Sequence, residues 1–245
     1  MKLTVLGSSS AGNGYVLSSV GGSLLIEAGV PLLQVEAAVN YKLADIKGCV
    51  ISHEHADHAK YVKEYLQAGI RVLALKTVFD RYGQAGNFFS KEIRPMCGYR
   101  VGGFLVTALP AVHDVPCLAF VIWHQDMGSL AFLTDTMMLE YKLPPVEHLM
   151  VEANYSDASL MRNIENGVAA ASERDRLMHA HMSVETAIGV AKACDGKMLR
   201  DVTLIHLSAR NADEAAFVEA MQKATGKPVY VAHAGASMTL KGSEK

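Results

Sequence analysis

The chain has 245 residues, half of them hydrophobic and a fifth charged, which suits a soluble globular protein with one sizeable core. Its formal net charge of −2 argues against a strongly basic protein that coats nucleic acid, and no apolar run reaches the roughly 18–20 residues needed to span a bilayer. The opening "MKLTVLG" gives way at once to Ser, Gly and Asn, unlike a signal peptide, and the four cysteines (Cys49, Cys97, Cys117, Cys194) are dispersed without a CxxC pair, as expected of reduced thiols. The expectation is one domain over 1–245, cytoplasmic, with no membrane partner and a homodimer left open.

Strands are expected first at 2–6, 15–20 and 23–27, and "GSSSAGNG" between the first two offers small residues for a tight turn or for a loop in which Ser10 or Asn13 meets substrate. A helix near 31–39 follows, then a buried strand at 48–52 and a helix over 57–68, where Ala59, Val62, Leu66 and Gly69 share one face. Between these two lies "HEHADH", with three of the ten histidines and an aspartate in six positions. In an extended loop, side chains two apart point the same way, so His53 and His55 can share one ion. Asp57 and His58, entering the helix, diverge enough to reach a second. Imidazole and carboxylate suit zinc, manganese or iron.

Further along, a strand at 70–74 and a helix at 75–82 precede strands at 104–109, 118–123, 130–134 and 148–152. Helices near 156–165 and 183–194, a strand at 202–207, a helix at 211–224 and a strand at 229–232 complete the chain. Two sheets sandwiched between helices fit this order. Three more candidate ligands sit at ends of these strands: His113 in "LPAVHDVP", Asp135 in "AFLTDT" and His206 in "VTLIHLSARN". Each is ordinary alone, but ligands converge from strand ends.

"HEHADH" followed by "AVHD", "LTDT" and "HLS" resembles the metallo-β-lactamase superfamily over most of the chain. The resemblance implies an α/β fold, a four-layered αβ/βα sandwich, with a di-metal site at its edge. It implies that His53, His55 and His113 hold one metal, that Asp57, His58 and His206 hold the other, and that Asp135 bridges them. Zinc or manganese is expected, with iron left open, and Asp57 is expected to serve catalysis as well as ligation.

"GSSSAGN", "LLIEAG", "VEANYSD", "HMSVETA" and "HLSARN" are similar to the WalJ/YycJ-like branch, whose better-known members are nucleases, and "HLSAR" also resembles transfer-RNA 3′-processing enzymes. Two positions depart from the pattern: Glu27 stands where Asp is usual, and Tyr155 where the branch usually has His. His181, two residues before the N-cap Ser183, corresponds to an active-site His outside the metal shell. At a helix entry it can hold a phosphate or protonate a leaving oxygen.

Two metals acidify a shared water and absorb transition-state charge. The reading is therefore a metal-dependent hydrolase, a phosphodiesterase or nuclease acting on DNA or RNA. A small cyclic or signalling nucleotide phosphodiesterase and a non-catalytic metal-stabilised binding module are the alternatives. Arg162, Arg174, Arg176 and Arg210 are solvated charge by default and phosphate contacts as a second reading. His124, His148, His179 and His233 are expected on the surface or in packing.

Overall fold

The computed structural model describes residues 1–166, 177–194 and 196–242. Its strands form two sheets of seven. In the first, β1 (Lys2–Ser9), β2 (Gly12–Ser19) and β3 (Gly22–Ile26) form an antiparallel meander, and β4 (Ile46–Val50), β5 (Val72–Ala74) and β6 (Ser90–Glu92) extend it in parallel. The second begins antiparallel with β7 (Cys97–Val101), β8 (Phe104–Ala111), β9 (Cys117–His124) and β10 (Gly128–Leu133), then continues in parallel through β11 (His148–Glu152), β12 (Asp201–Ile205) and β13 (Val229–Val231). The last strand, β14 (Ser237–Thr239), crosses back to pair antiparallel with β1.

Strand alternation sends successive residues to opposite faces, and here both faces are apolar. Leu24 and Ile26 of β3 and Phe120 and Ile122 of β9 meet between the sheets. Leu25 and Ile51 turn outward onto α1 (Leu32–Ala38), α3 (Val62–Gln67) and α4 (Lys76–Arg81), whose Val35, Leu66 and Phe79 are buried there. On the far side, Leu149, Val151 and Leu204 pack under α6 (Val184–Ala193) and α7 (Glu214–Thr225) through Val184, Ala187, Phe217 and Met221. Three apolar layers between four structural layers make the αβ/βα sandwich that the sequence led us to expect.

Two differences from the sequence reading have physical causes. The helix expected over 57–68 is broken into α2 (Ala56–Ala59) and α3. The backbone of Ala28 enters the break, its N–H donating to the His58 carbonyl at 2.7 Å and its carbonyl accepting from Tyr61 N at 2.9 Å. Gly69, expected on the packed face, is exposed and left-handed (φ 79°) just beyond the helix, where glycine ends helices. Strands β6, β7 and β14 lack the apolar run that marks a buried strand, because they lie at or beside sheet edges. The carboxyl ends of β1, β3, β4, β10, β11, β12 and β13 share one rim of the sandwich, where His206 N donates to Ser8 Oγ at 3.0 Å across the two sheets.

Candidate active site

The loop after β4 is fixed from below. Glu27, directly after β3, donates its N–H to the Val50 carbonyl at 2.8 Å, and its carboxylate accepts from Ser52 N at 3.2 and 3.3 Å. His53 is thereby fully buried, with Nδ1 2.9 Å from Ser52 Oγ and Nε2 without a hydrogen-bond partner. Its ring lies 4.7 Å from those of both His55 and His113. His113 reaches in from the loop after β8. Its Nδ1 donates to the Ala180 carbonyl at 2.7 Å, which leaves Nε2 turned to the site, 3.2 Å from His55 Nδ1 and 3.1 Å from Asp114 Oδ1. One donor atom from each of His53, His55 and His113 lies within 4.8 Å of the others.

Asp57, in the first turn of α2, points Oδ2 at His58 Nε2 and at His206 Nε2, both at 3.2 Å. Asp135 Oδ2 lies 2.7 Å from His58 Nε2. Two more donor groups result, Asp57–His58–His206 and His53–His58–Asp135, so His53 and His58 link the clusters. Burial disfavours charge here, yet the carboxylates win. Asp135 and Glu27 hold His58 well above the usual imidazole value, and Asp135, Asp57 and Glu152 raise His206 to about 9. In return, and against the effect of burial, His206 and His58 hold the Asp57 and Asp135 carboxyls below the usual range. Imidazoles and carboxylates gathered this closely are chemically suited to share a divalent cation, and His53, whose Nε2 has no hydrogen-bond partner, belongs to two of the groups. The donor set therefore fits a pair of metal ions.

Glu27 (φ 67°), Asp135 (φ 45°) and His206 (φ 53°) are left-handed, a conformation that non-glycine residues rarely adopt. Each follows a strand end within two residues, where the sheet gives way to the site. Glu27 Oε2 stands 3.6 Å behind His58 Nδ1. The Asp-to-Glu departure thus falls on the support of His58 and Ser52.

His181 lies immediately above. Burial lowers its affinity for a proton, but Glu152 and Asp135 outweigh this and raise it to about 10. Its Nδ1 is 2.7 Å from Glu152 Oε1 and 2.9 Å from Asp135 Oδ1. Glu152, fully buried, accepts from His206 Nδ1 at 3.1 Å with the same oxygen and from Met182 N at 3.1 Å with the other. Sequence reasoning missed Glu152 as a site residue, although it ends the buried strand β11 just as Asp135 and His206 follow theirs. Asp135, Glu152, His181 and His206 form a fourth donor group. Ser183 caps α6 as expected, its Oγ accepting from Thr186 N at 3.2 Å.

Asn13 is buried behind the cluster, its Nδ2 3.3 Å from Asp57 Oδ2, while Ser10 is exposed on a cavity wall beside His181. Arg210 lines that same cavity, Arg162 is exposed on α5 (Asp157–Glu165), and Arg174 and Arg176 lie outside the described residues. Tyr155 is buried against Leu160 and Leu177, so that departure falls in packing. Among the remaining histidines, His124 packs on Phe104 and His148 pairs with Asp201 at 2.8 Å, both buried. His179 and His233 are exposed, the latter 2.9 Å from Glu214.

Residues 23–207 match the Beta-lactamase superfamily domain. Exodeoxyribonuclease WalJ of Streptococcus pneumoniae serotype 2 is 24% identical over 234 residues, covering 86% of this chain and 82% of its own. The metallo-beta-lactamase fold protein YhfI from Bacillus subtilis superposes with a TM-score of 0.77 at 19% identity, over 97% of this chain and 98% of that one. The short form of human tRNase Z gives 0.66 at 17% identity, over 98% and 99%. A diphosphatase from the PhnP family gives 0.63 at 16%, over 97% and 96%. Among the described residues no helix is long and apolar enough to cross a membrane. With the sandwich, the rim of convergent donors and the matched segment in agreement, this chain belongs to the β-lactamase superfamily and is a metal-dependent hydrolase of the metallo-β-lactamase fold.

Proposed function

We propose that the protein is a phosphodiesterase acting on nucleic acid, with two divalent ions, zinc or manganese, in the donor clusters. His53, His55 and His113 would hold one ion, Asp57, His58 and His206 the other, with Asp135 between them. Ions held there would supply a water acidified towards neutrality and would offset the charge that develops on phosphorus-bound oxygens. The observation that carries the phosphodiester choice is His181, gripped at Nδ1 by two buried carboxylates and lining, with Arg210, a polar cavity of about 360 Å³ beside the cluster. A protonated imidazole there can deliver a proton to a departing sugar oxygen, and Arg210 can meet a phosphate. A relative and neighbours that bear nuclease and diphosphatase names support the same choice. The buried free thiols of Cys49, Cys117 and Cys194 suit the reducing cytoplasm.

The test offers bis(p-nitrophenyl) phosphate, single- and double-stranded DNA, transfer RNA, cyclic nucleotides, a thioester and nitrocefin side by side, with zinc and with manganese. Metal-dependent turnover of the diester and of nucleic acid is expected. Rapid thioester hydrolysis without diesterase activity would overturn the proposal and leave the fold untouched.

A further inference from the structure

Three cavities lie side by side along the rim formed by the carboxyl ends of β1, β12 and β13, each sharing wall residues with the next. The first, about 360 Å³, has His181, His206 and Arg210 in its wall. The second, about 310 Å³, shares Leu207, Ser208 and Ala209 with it. The third, about 530 Å³, shares Ser8, Ala232 and His233 with the second and ends at Gln34 and Tyr61. Each alone has the volume of a small-molecule site, roughly 300–1,000 Å³, so a compact substrate at the cluster would fill only the first.

The floor of this groove is built to lie close to the cluster. A Cβ on Gly7 would meet the Gly12 carbonyl, one on Gly12 the Gly29 carbonyl, and one on Gly29 the Asp57 carbonyl. Backbone thus stacks on backbone from the groove floor to the turn that bears Asp57, which explains the glycines of "GSSSAGNG" and "EAGV". The walls offer mainly neutral hydrogen-bonding groups such as Ser8, Ser208, Asn211 and Gln34. Arg210 is the one Lys or Arg in them among the described residues, and His233 is paired with Glu214. These groups can hydrogen-bond sugars and base edges, Arg210 can meet one phosphate, and Tyr61 offers an aromatic ring at the far end.

We propose that this groove holds the body of one polynucleotide strand whose scissile phosphate lies at the cluster. The inference rests on the phosphodiesterase reading above. A row of cavities of this size suits a single strand better than a duplex. Substrate length should therefore matter beyond the bond that is broken.

The experiment gives metal-loaded protein single-stranded DNA from two to about twelve nucleotides, the longest of these as a duplex, and bis(p-nitrophenyl) phosphate. It compares wild type with Ala209→Glu, at the junction of the first two cavities, and Ala234→Glu, in the third. Both alanines are exposed, so the fold should tolerate the carboxylate. In wild type, kcat/KM should rise with strand length and then level off, with the duplex poorer than the strand. The readout for the variants is the ratio of kcat/KM on oligonucleotide to that on the small diester. Ala209→Glu, by repelling the strand's phosphates, should lower this ratio about tenfold at all but the shortest lengths, and Ala234→Glu only for the longer strands. A flat length profile, wild-type ratios in both variants, or equal use of the duplex would overturn the groove and leave the phosphodiesterase reading standing. Turnover of the small diester with no cleavage of any oligonucleotide would remove the nuclease reading and the groove together.

Discussion

Replacing Glu152 with glutamine keeps the side chain's shape and removes its charge. Glu152 Oε1 accepts from His181 Nδ1 at 2.7 Å and His206 Nδ1 at 3.1 Å, and Oε2 accepts from Met182 N at 3.1 Å and Thr136 N at 3.4 Å. A carboxamide has one acceptor oxygen, so whichever way it turns, one pair of donors faces an NH2 group. Breaking a buried pair from one side costs about 3–5 kcal/mol, and at roughly 2–4 °C per kcal/mol for a chain of this size the loss in Tm is easily read. Function should respond unevenly. Glu152 touches His206, proposed for one ion, and none of His53, His55 and His113, proposed for the other. Removing such a support typically weakens metal affinity about 10–100-fold. Stepwise titration with manganese or zinc against a competing chelator should therefore show one weakened step and one near wild type. Turnover of an unactivated diester should fall as well, since His181 loses its anchor. Two unchanged steps with undiminished turnover would refute the reasoning, and equal weakening of both would place Glu152 behind the whole cluster.

Four further outcomes are expected. Asp135→Ala should lower bound metal at both positions, because Asp135 contacts His58 and His181 from between the clusters, and elemental analysis reads the stoichiometry. His181→Ala should keep both metals, lose roughly 10²–10⁴-fold on natural diesters and much less on an activated one, whose leaving group needs no proton; loss of metal would make it a ligand. Gly29→Ala, whose methyl would collide with the Asp57 carbonyl, should destabilise the fold by about 1–3 kcal/mol in urea titrations and lower the metal content. His124 is held below the ordinary imidazole value by burial against Phe104, with Asp126 opposing only in part. Its contribution to stability is present above the unfolded-state value of about 6.5 and lost as pH falls through the lower folded value. His124→Gln should flatten that part of the acid limb in denaturation curves.

Much of the fold was legible because both faces of most strands are buried, and apolar runs such as "LMVE" and "LAFL" announce this directly. What could not be read depends on distant backbone. Nothing in "HADHAKYVKEYL" shows that Ala28 will insert between His58 and Tyr61, and nothing in "SKE" or "SMT" marks an edge strand. In the site, "HEHADH" stood out by density, and the positions of His113, Asp135 and His206 after strands brought them to the same rim as the cluster. Glu152 was missed because a carboxylate at a strand end carries no spacing signal. Its meaning arises only when His181 and His206, 29 and 54 residues away, fold onto it. "GSSSAGNG" left open a tight turn or a loop in which Ser10 or Asn13 meets substrate; the Asn13 amide points down to Asp57 and His58, a direction that alternation in a glycine-rich segment does not reveal.

The left-handed backbone at Glu27, Asp135 and His206 bears on how this protein can be improved. Each such residue costs on the order of 1 kcal/mol or more relative to a relaxed backbone. Glycine or asparagine would relax the backbone there, yet each would also break a buried pair, that of Glu27 or Asp135 with His58 or that of His206 with Glu152, at about 3–5 kcal/mol. That loss exceeds the strain relieved, so a screen for heat resistance should leave all three residues unchanged. The backbone is held in its left-handed form by the side chains that meet beyond it. Added stability must be sought elsewhere, in α7 or at the exposed edges β6 and β7, where the site is not at stake.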